Sequence, residues 1–289
     1  MKFAAAFAIL ATMAAAAPMA ERDTAVTDVQ VLQYALTLEH LENNFYSTYL
    51  AQFSQEDFAK AGHPDWVRNR FQQIAEHEQQ HVSLLSGALG AQAVKPCTYK
   101  FPVTDVNSFV ALASVVENVG VSAYLGAAAS IVDKTYLTVA GSILTTEARH
   151  QGWMNSAVLK DAAWSGGYDT PLDFNEVFSI ASAFITSCPA ENPALPFKAF
   201  PALAIGMDGA VTTPASTEGA FVQLVTGLGS KTYPVENGKV MLPHVQGIYY
   251  GVLTSSSDTT KVNDGNILAG PMIFNNPFDS KASNPVPTL

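Results

Sequence analysis

The stretch TTEARHQGW, residues 145–153, places a carboxylate and an imidazole one helical turn apart in a segment that otherwise avoids charge. Glu147 is the only acidic residue between Lys134 and Lys160, and His150 follows it three positions later. A carboxylate that is buried without a partner is strongly destabilising, so Glu147 requires one. Because residues i and i+3 of a helix lie on one face, Glu147 and His150 can offer both groups to the same point.

The same spacing occurs a second time, in the EQQH stretch from Glu78 to His81. Two further segments each supply one carboxylate, Glu39 and Glu117, and each of these is followed seven positions later by a tyrosine. The two tyrosines are Tyr46 and Tyr124. Glu117 is the only acidic residue between 106 and 132, where solvation cannot readily explain it. The chain therefore carries Glu, ExxH, Glu, ExxH in that order between residues 39 and 150. This order suggests that the third and fourth predicted helices repeat the first and second.

Hydrophobic periodicity predicts a mainly α protein. The four long helices are expected at 31–53, 64–89, 106–132 and 134–162. The TDVQ stretch at 27–30 is typical of a capping box, and TPLD at 170–173 predicts the start of a shorter fifth helix. The proline-containing stretch 90–104 is a long connection rather than a tight hairpin. The fold class expected for 27–188 is an antiparallel four-helix bundle with a fifth helix.

The sequence changes character after Cys188. Prolines in 189–202 exclude regular helix and predict a connector. Short apolar runs over 203–276 predict a small antiparallel β module, and VENGKV at 235–240 is a hairpin signal. Tyr249 and Tyr250 in this module are interpreted as packing residues. The tail 277–289 is expected to be irregular.

The N-terminal residues 1–20 combine Lys2, an apolar run and small residues, which is the pattern of a secretory signal peptide. We therefore expect a secreted protein, extracellular or in the cell wall. The two cysteines, Cys97 and Cys188, could form a disulfide in an oxidising compartment. No later run is long and apolar enough to predict a membrane span. The net charge of −10 argues against a nucleic acid partner.

Four helices that project this set inward would combine four carboxylates with two imidazoles. That is the ligand set of a di-iron or di-manganese carboxylate site. With these residues the chain resembles the ferritin-like superfamily over about 27–163. More narrowly, the signal peptide, LEHLENNFY at 38–46 and CPAENPALPFKAFP at 188–201 resemble secreted fungal proteins with a ferritin-like domain, of the stress-response and late-sexual-development type.

The resemblance implies a role for each residue of the set. Glu78 and Glu147 would bridge two iron or manganese ions. Glu39 and Glu117 would be terminal ligands, and His81 and His150 would each bind one ion. Tyr46 and Tyr124 would orient the carboxylates by hydrogen bonds.

Several alternatives stay open from the residues alone. Glu42, one turn beyond Glu39, could be the ligand in its place. Glu78 and His81 could lie on a solvated helix face, because their neighbourhood is polar. Glu117 and Glu147 could be buried carboxylates paired with Arg149, a lysine or a tyrosine. The remaining histidines of this region show no ligand spacing and are interpreted as surface residues: His40, His63 and His77.

The function expected first is redox chemistry on O2 or peroxide at a dinuclear iron or manganese centre. No residue is singled out as catalytic. The alternative belongs to a different class: a secreted or cell-wall stress or developmental protein that uses the bundle as a scaffold, with a vestigial or metal-storing site. The sequence predicts neither the metal, nor the substrate, nor the oligomeric state.

Overall fold

A computed structural model describes residues 26–278. The predicted signal peptide and the tail from 279 onward lie outside the described residues. The helices are α1 (Asp28–Gln52), α2 (Gln55–Lys60), α3 (Asp65–Leu89), α4 (Val106–Ala127), α5 (Lys134–Trp153) and α6 (Phe174–Ser182). A π-helical segment, Met154–Leu159, continues directly from α5. The prediction of a mainly helical fold with four long helices and a following β module is confirmed.

The bundle consists of two helix pairs, because α1 packs mainly on α3 and α4 mainly on α5. An aromatic cluster joins the two pairs on one side of their common core. The ring of Phe109 on α4 lies 5.2 Å from that of Phe45 on α1 and 5.0 Å from that of Phe71 on α3. Edge and stacked ring contacts of this kind add to the burial of apolar area that holds the pairs together.

The helix starts show where sequence signals were sufficient and where they were not. Thr27 caps α1 as predicted, with its hydroxyl accepting from the Gln30 amide at 3.3 Å. The prediction that Thr170 begins the fifth helix is wrong, because α6 starts at Phe174. Asp173 caps it instead: its carboxylate accepts from the Glu176 amide at 2.8 Å, and the Glu176 carboxylate accepts in return from the Asp173 amide at 2.9 Å. Two reciprocal bonds outweigh the single threonine–proline signal.

Helix α2 was not predicted, since the connection between the first two long helices contains only a short apolar pattern. Ser54 caps it, and the side chain of Asp57 completes a reciprocal pair of bonds with Ser54. Phe58 on α2 is completely buried against the aromatic cluster. The connection is therefore part of the core at this end of the bundle.

A disulfide links Cys97 to Cys188 across 91 residues of sequence. Next to it, β1 (Thr98–Tyr99) pairs antiparallel with β2 (Ile185–Ser187). The crossover between the two helix pairs is thereby joined to the segment that follows α6.

The β module contains a two-stranded ribbon and a five-stranded antiparallel sheet. The ribbon pairs β3 (Ala204–Ile205) with β4 (Val211–Thr212). The strands of the sheet are β5 (Phe221–Thr226), β6 (Gly229–Glu236), β7 (Lys239–Val240), β8 (Gly247–Thr254) and β9 (Ile267–Asn276). They lie side by side in the order β7–β6–β5–β8–β9. The predicted hairpin at 235–240 is confirmed: Glu236 pairs with Lys239 around Asn237 and Gly238, both of which have positive φ.

Strand β8, which lies between β5 and β9, is buried on both faces. Because side chains alternate along a strand, neighbouring residues face opposite sides. Tyr249 packs in the core of the β module, with its ring stacked 4.8 Å from that of Phe274. Tyr250 packs in the core of the helical bundle. The sheet is thus seated directly on the helices.

One stretch of the described residues, Val106–Ser130, is long and apolar enough to cross a membrane by length and composition alone. Most of it is buried inside the bundle, as expected of a core helix.

Candidate metal centre

The six predicted donors all lie in the interior of the bundle. The four carboxylates of Glu39, Glu78, Glu117 and Glu147 are completely buried, and both histidines are buried as well. The interpretation of Glu78 and His81 as a solvated helix face is therefore wrong. The polar residues around them point outward, whereas these two face the opposite helix pair.

The donors form two groups, and within each group one ligand atom per residue lies within 4.8 Å of the others. One group consists of Glu39, Glu78, His81 and Glu147. The other consists of Glu78, Glu117, Glu147 and His150. Glu78 and Glu147, the glutamates of the two ExxH stretches, belong to both groups. They occupy the place that two bridging carboxylates would need.

His81 presents Nδ1 to the carboxylates of the first group. That atom lies 3.2 Å from Glu39 Oε2, 3.1 Å from Glu78 Oε2 and 3.4 Å from Glu147 Oε1. Three carboxylates from three helices thus converge on one imidazole nitrogen.

His150 uses the same nitrogen in the second group. Its Nδ1 lies 3.1 Å from Glu117 Oε2 and 3.3 Å from Glu78 Oε1. Its Nε2 lies 2.9 Å from Nδ1 of His77, and the two rings stack with centroids 5.1 Å apart. His77 is exposed, so this half of the site contacts a side chain at the protein surface.

The two tyrosines cross between the helix pairs. Tyr46 on α1 donates to Glu117 Oε1 on α4 at 2.5 Å. Tyr124 on α4 donates to Glu39 Oε1 on α1. Each hydroxyl leaves the second oxygen of its carboxylate free to face a histidine. The tyrosines therefore fix the orientation of the two carboxylates that are not shared.

Three carboxylate oxygens in this interior accept no well-aligned hydrogen bond from the described residues: Glu78 Oε1 and both oxygens of Glu147. Glu78 Oε1 and Glu147 Oε1 have only the longer histidine contacts given above. Among residues 26–278, every ion pair to the six-residue set comes from a histidine. Arg149 points elsewhere and donates to the Thr145 carbonyl at 3.3 Å. Buried carboxylate oxygens without donors are strongly unfavourable unless a cation pairs with them. The donor chemistry therefore fits hard or borderline divalent ions.

The electrostatics of the cluster agree with this reading. Burial raises the pKa of Glu39 to about 7 and the pKa of Glu147 well above its usual range. Burial also acts on Glu78, but its contacts with the imidazoles of His150 and His81 outweigh burial and hold the pKa of Glu78 at about 2. For His150, burial is outweighed by the charge of Glu117, by the hydrogen bond to Glu117 and by the contact with Glu78, which raise the pKa of His150 to about 10. In the metal-free protein, protons on groups with a raised pKa thus offset the buried negative charge that bound cations would otherwise offset.

Glu42 is buried beside the cluster but belongs to neither donor group. It lies against Gly120 on α4. A Cβ atom at position 120 would sit 3.0 Å from Glu42 Oε1 and 2.7 Å from Glu147 Oε2. The sequence left open whether Glu39 or Glu42 is the ligand. Glu39 lies in the donor group of His81, and Glu42 is an additional buried carboxylate beside it. Burial, followed by the charge of Glu147, raises the pKa of Glu42 well above its usual range.

The prediction that His40, His63 and His77 are surface residues is wrong for His40 and holds for the exposed His77 and the half-buried His63. His77 contacts His150, as described above. His40 is buried, and its Nε2 lies 3.0 Å from the Val94 carbonyl oxygen on the crossover. His77 immediately precedes Glu78, and that adjacency was the only signal available for it. Gly120 is likewise visible only at a shared spacing, three positions after Glu117 as Glu42 is three after Glu39.

Comparison with known proteins agrees with the helical fold. Residues 27–160 match a family described as ferritin-like domain. The chain is similar to Protein rds1 of Schizosaccharomyces pombe, with 28% identity over 205 residues. That similarity covers 69% of this chain and 49% of the relative. The chain therefore spans about half the length of this curated relative.

Proposed function

We propose that the bundle, in which residues 27–160 match the ferritin-like domain family, holds two iron or manganese ions and uses them for redox chemistry on O2 or peroxide. The observation that carries this proposal is the pair of donor groups that share Glu78 and Glu147. A single shared carboxylate could be accidental, but two shared carboxylates from symmetric positions favour a dinuclear centre.

Each ion would take its own terminal glutamate and histidine. Glu39 and His81 would hold one ion, Glu117 and His150 the other, and the two shared glutamates would lie between them. Four carboxylate charges offset two divalent cations, which removes the cost of burying them. Carboxylate and imidazole donors suit both metals, so the donor set leaves iron and manganese as equal candidates.

The ions, when bound, would supply the change of oxidation state and the Lewis acidity that the side chains lack. The protein's own residues position and protect the centre. Tyr46 and Tyr124 donate to the terminal carboxylates and so fix which oxygen of each faces the interior. The aromatic cluster around Phe109 excludes water from the adjacent core, which strengthens every charge interaction at the site.

We also propose that the protein acts outside the cell or in the cell wall. The disulfide between Cys97 and Cys188 supports an oxidising compartment, since such bonds are rare where thiols are kept reduced. The predicted signal peptide at 1–20 points the same way.

The experiment is a metal titration of the purified protein with Fe²⁺ under argon and, separately, with Mn²⁺. For the wild type we expect about two ions per chain, as in other bundles with this donor set. The double variant Glu78→Ala/Glu147→Ala should bind neither ion tightly. Glu76→Ala, an exposed glutamate on the same helix α3, serves as the control and should bind as the wild type does.

A wild-type protein that is folded by circular dichroism yet binds neither metal would contradict the dinuclear centre. That result would favour the second class of function, a non-enzymatic scaffold with a vestigial site. Two bound ions without any consumption of O2 or peroxide would favour metal storage over redox chemistry.

A further inference from the structure

We propose that the β module positions the metal-site helices through the hydroxyl of Tyr250, so that the site depends on a strand about a hundred residues beyond its last donor. This inference rests on the proposed dinuclear centre. The hydroxyl of Tyr250 bonds to Asn118 and Ser122 rather than to any of the six donors, so Tyr250 acts through residues next to the donors.

The contact is a buried polar network between β8 and two helices. Asn118 on α4 donates through Nδ2 to the Tyr250 hydroxyl at 2.7 Å. The Ser122 hydroxyl, one turn further along α4, lies 2.8 Å from the same oxygen. Gln151 on α5 donates through Nε2 to Asn118 Oδ1 at 3.2 Å. All four side chains are buried, so water cannot readily replace any of these partners.

The members of this network are sequence neighbours of the donors. Asn118 follows Glu117 on α4, and Gln151 follows His150 on α5. Consecutive residues of a helix point about 100° apart around its axis. Fixing the direction of Asn118 therefore fixes the rotation of α4 that aims Glu117, and Gln151 does the same for His150. The bond between Asn118 and Gln151 runs alongside the 3.1 Å contact between Glu117 and His150.

Within residues 26–278, the first helix pair has no equivalent bond to the sheet. The positions that correspond to Asn118 and Gln151 are His40 and Val82. The hydrogen bond of His40 goes to the Val94 carbonyl on the crossover and not to the sheet. The β module consequently supports only the half of the site that contains Glu117 and His150.

The chain offers a matched control in the adjacent residue. Tyr249 is also buried, on the same strand, but it faces the opposite side of the sheet. Its hydroxyl lies 3.1 Å from Nδ2 of Asn276 within the β module. Replacing either tyrosine by phenylalanine removes one buried hydroxyl and leaves the ring in place. Only Tyr250→Phe breaks a bond to the helices.

The test compares Tyr250→Phe, Tyr249→Phe and wild type by stepwise titration with Mn²⁺, followed by electron paramagnetic resonance. For Tyr250→Phe we expect about tenfold weaker binding of one of the two ions, which is the usual effect of losing an outer-shell partner. The other ion should bind within about threefold of wild type, since that group keeps its own supports. Tyr249→Phe should leave both steps unchanged.

A purely structural role for Tyr250 would give a different pattern. Equal weakening of both ions in Tyr250→Phe, or the same weakening in Tyr249→Phe, would overturn the proposal. If Tyr250→Phe does not fold, Gln151→Met removes the α5 end of the network while keeping side-chain volume, and should show the same selective loss.

Failure of the dinuclear centre itself can be told apart by hydrogen exchange of the metal-free proteins. Tyr250→Phe should speed amide exchange around Glu117 and His150 but not around Glu39 and His81. If the wild type binds no metal but Tyr250→Phe still shows this selective increase in exchange, the positioning contact stands and the proposed function fails. Unchanged exchange in all four regions would overturn the positioning contact.

Discussion

The two helix pairs of the bundle supply the same donors at the same spacings, yet they surround those donors differently. In α1 and α3 the set is Glu39, Tyr46, Glu78 and His81, and in α4 and α5 it is Glu117, Tyr124, Glu147 and His150. Each tyrosine donates to the terminal glutamate of the other pair. The comparison teaches that the ligands follow an internal symmetry whereas their supports do not.

The sharpest difference is at the third position after each terminal glutamate. The first pair carries Glu42 there, and the second carries Gly120. The absence of a side chain at Gly120 provides the space that the Glu42 and Glu147 carboxylates occupy. The first helix pair can therefore bury the additional carboxylate of Glu42 because the second pair has a glycine at the facing position.

The largest effect is expected from Gly120→Ala, which would make the two halves more alike. The new Cβ would lie 2.7 Å from Glu147 Oε2, closer than such contacts occur, so the shared carboxylate must move. We expect loss of at least one bound ion in the Mn²⁺ titration. Thermal unfolding of the metal-free protein should change little, because alanine favours a helix over glycine by about 1 kcal/mol and offsets part of the crowding.

Gly141→Ala on α5 is the control, since a Cβ there meets no neighbour within 4 Å. Two ions bound by Gly120→Ala with unchanged affinity would mean that Glu147 does not bridge from the position it occupies in the structure.

The next effect comes from Tyr46→Phe and Tyr124→Phe, which test the symmetry itself. Each variant removes one hydrogen bond to a buried carboxylate, a contribution of about 1.5–3 kcal/mol when the acceptor is charged. We expect each to weaken metal binding about tenfold, and the two to agree within about threefold. A much larger effect in one variant, measured by the same titration, would show that the crossed hydrogen bonds are not equivalent.

A smaller effect is expected from Glu42→Gln in the metal-free protein. The pKa of Glu42 is raised by burial, so the folded state binds its proton more tightly than the unfolded state does. Such a group stabilises the fold at acidic pH and loses that contribution as pH rises above its ordinary pKa. The melting temperature of Glu42→Gln should therefore exceed that of the wild type increasingly from pH 5 to pH 8.

Glu76→Gln, an exposed carboxylate on α3, should show no such trend. A constant difference across that pH range would contradict the assignment of a buried, protonated Glu42.

The smallest effect is expected from His77→Ala, where the other pair carries Thr146. His77 is exposed, so water can replace its contact with His150 Nε2. We expect the affinity for Mn²⁺ to change by less than about threefold, as for other solvent-exposed polar contacts. A larger change, absent in Thr146→Ala, would show that His77 holds the His150 ring in place.

The sequence predicted the features that depend on spacing within one helix, but not those that depend on contacts between distant segments. The order of Glu and ExxH stretches predicted a four-helix bundle because helical spacing converts directly into a shared face. The same logic brought all six donors to one interior. The spacing to Tyr46 and the match to Glu117 favoured Glu39 over Glu42 but did not exclude Glu42, since both lie on buried stripes of α1 and only the position of His81 on another helix separates them.

Features that depend on contacts between distant segments were not predictable. Tyr250 looked like an ordinary packing residue, because nothing near it in the sequence identifies Asn118 as its partner. Helix α2 was missed because a single buried residue, Phe58, carries its packing. The start of α6 was misplaced because two competing caps stand three residues apart and only their bonds decide between them.

The position of Tyr250 in the chain has a consequence for protein synthesis. All six donors lie between residues 39 and 150, so they leave the ribosome well before β8 does. Domains fold from the N-terminus as they emerge. A nascent chain therefore exposes all six donors first and receives the contact that aligns α4 and α5 only after about a hundred further residues have been made.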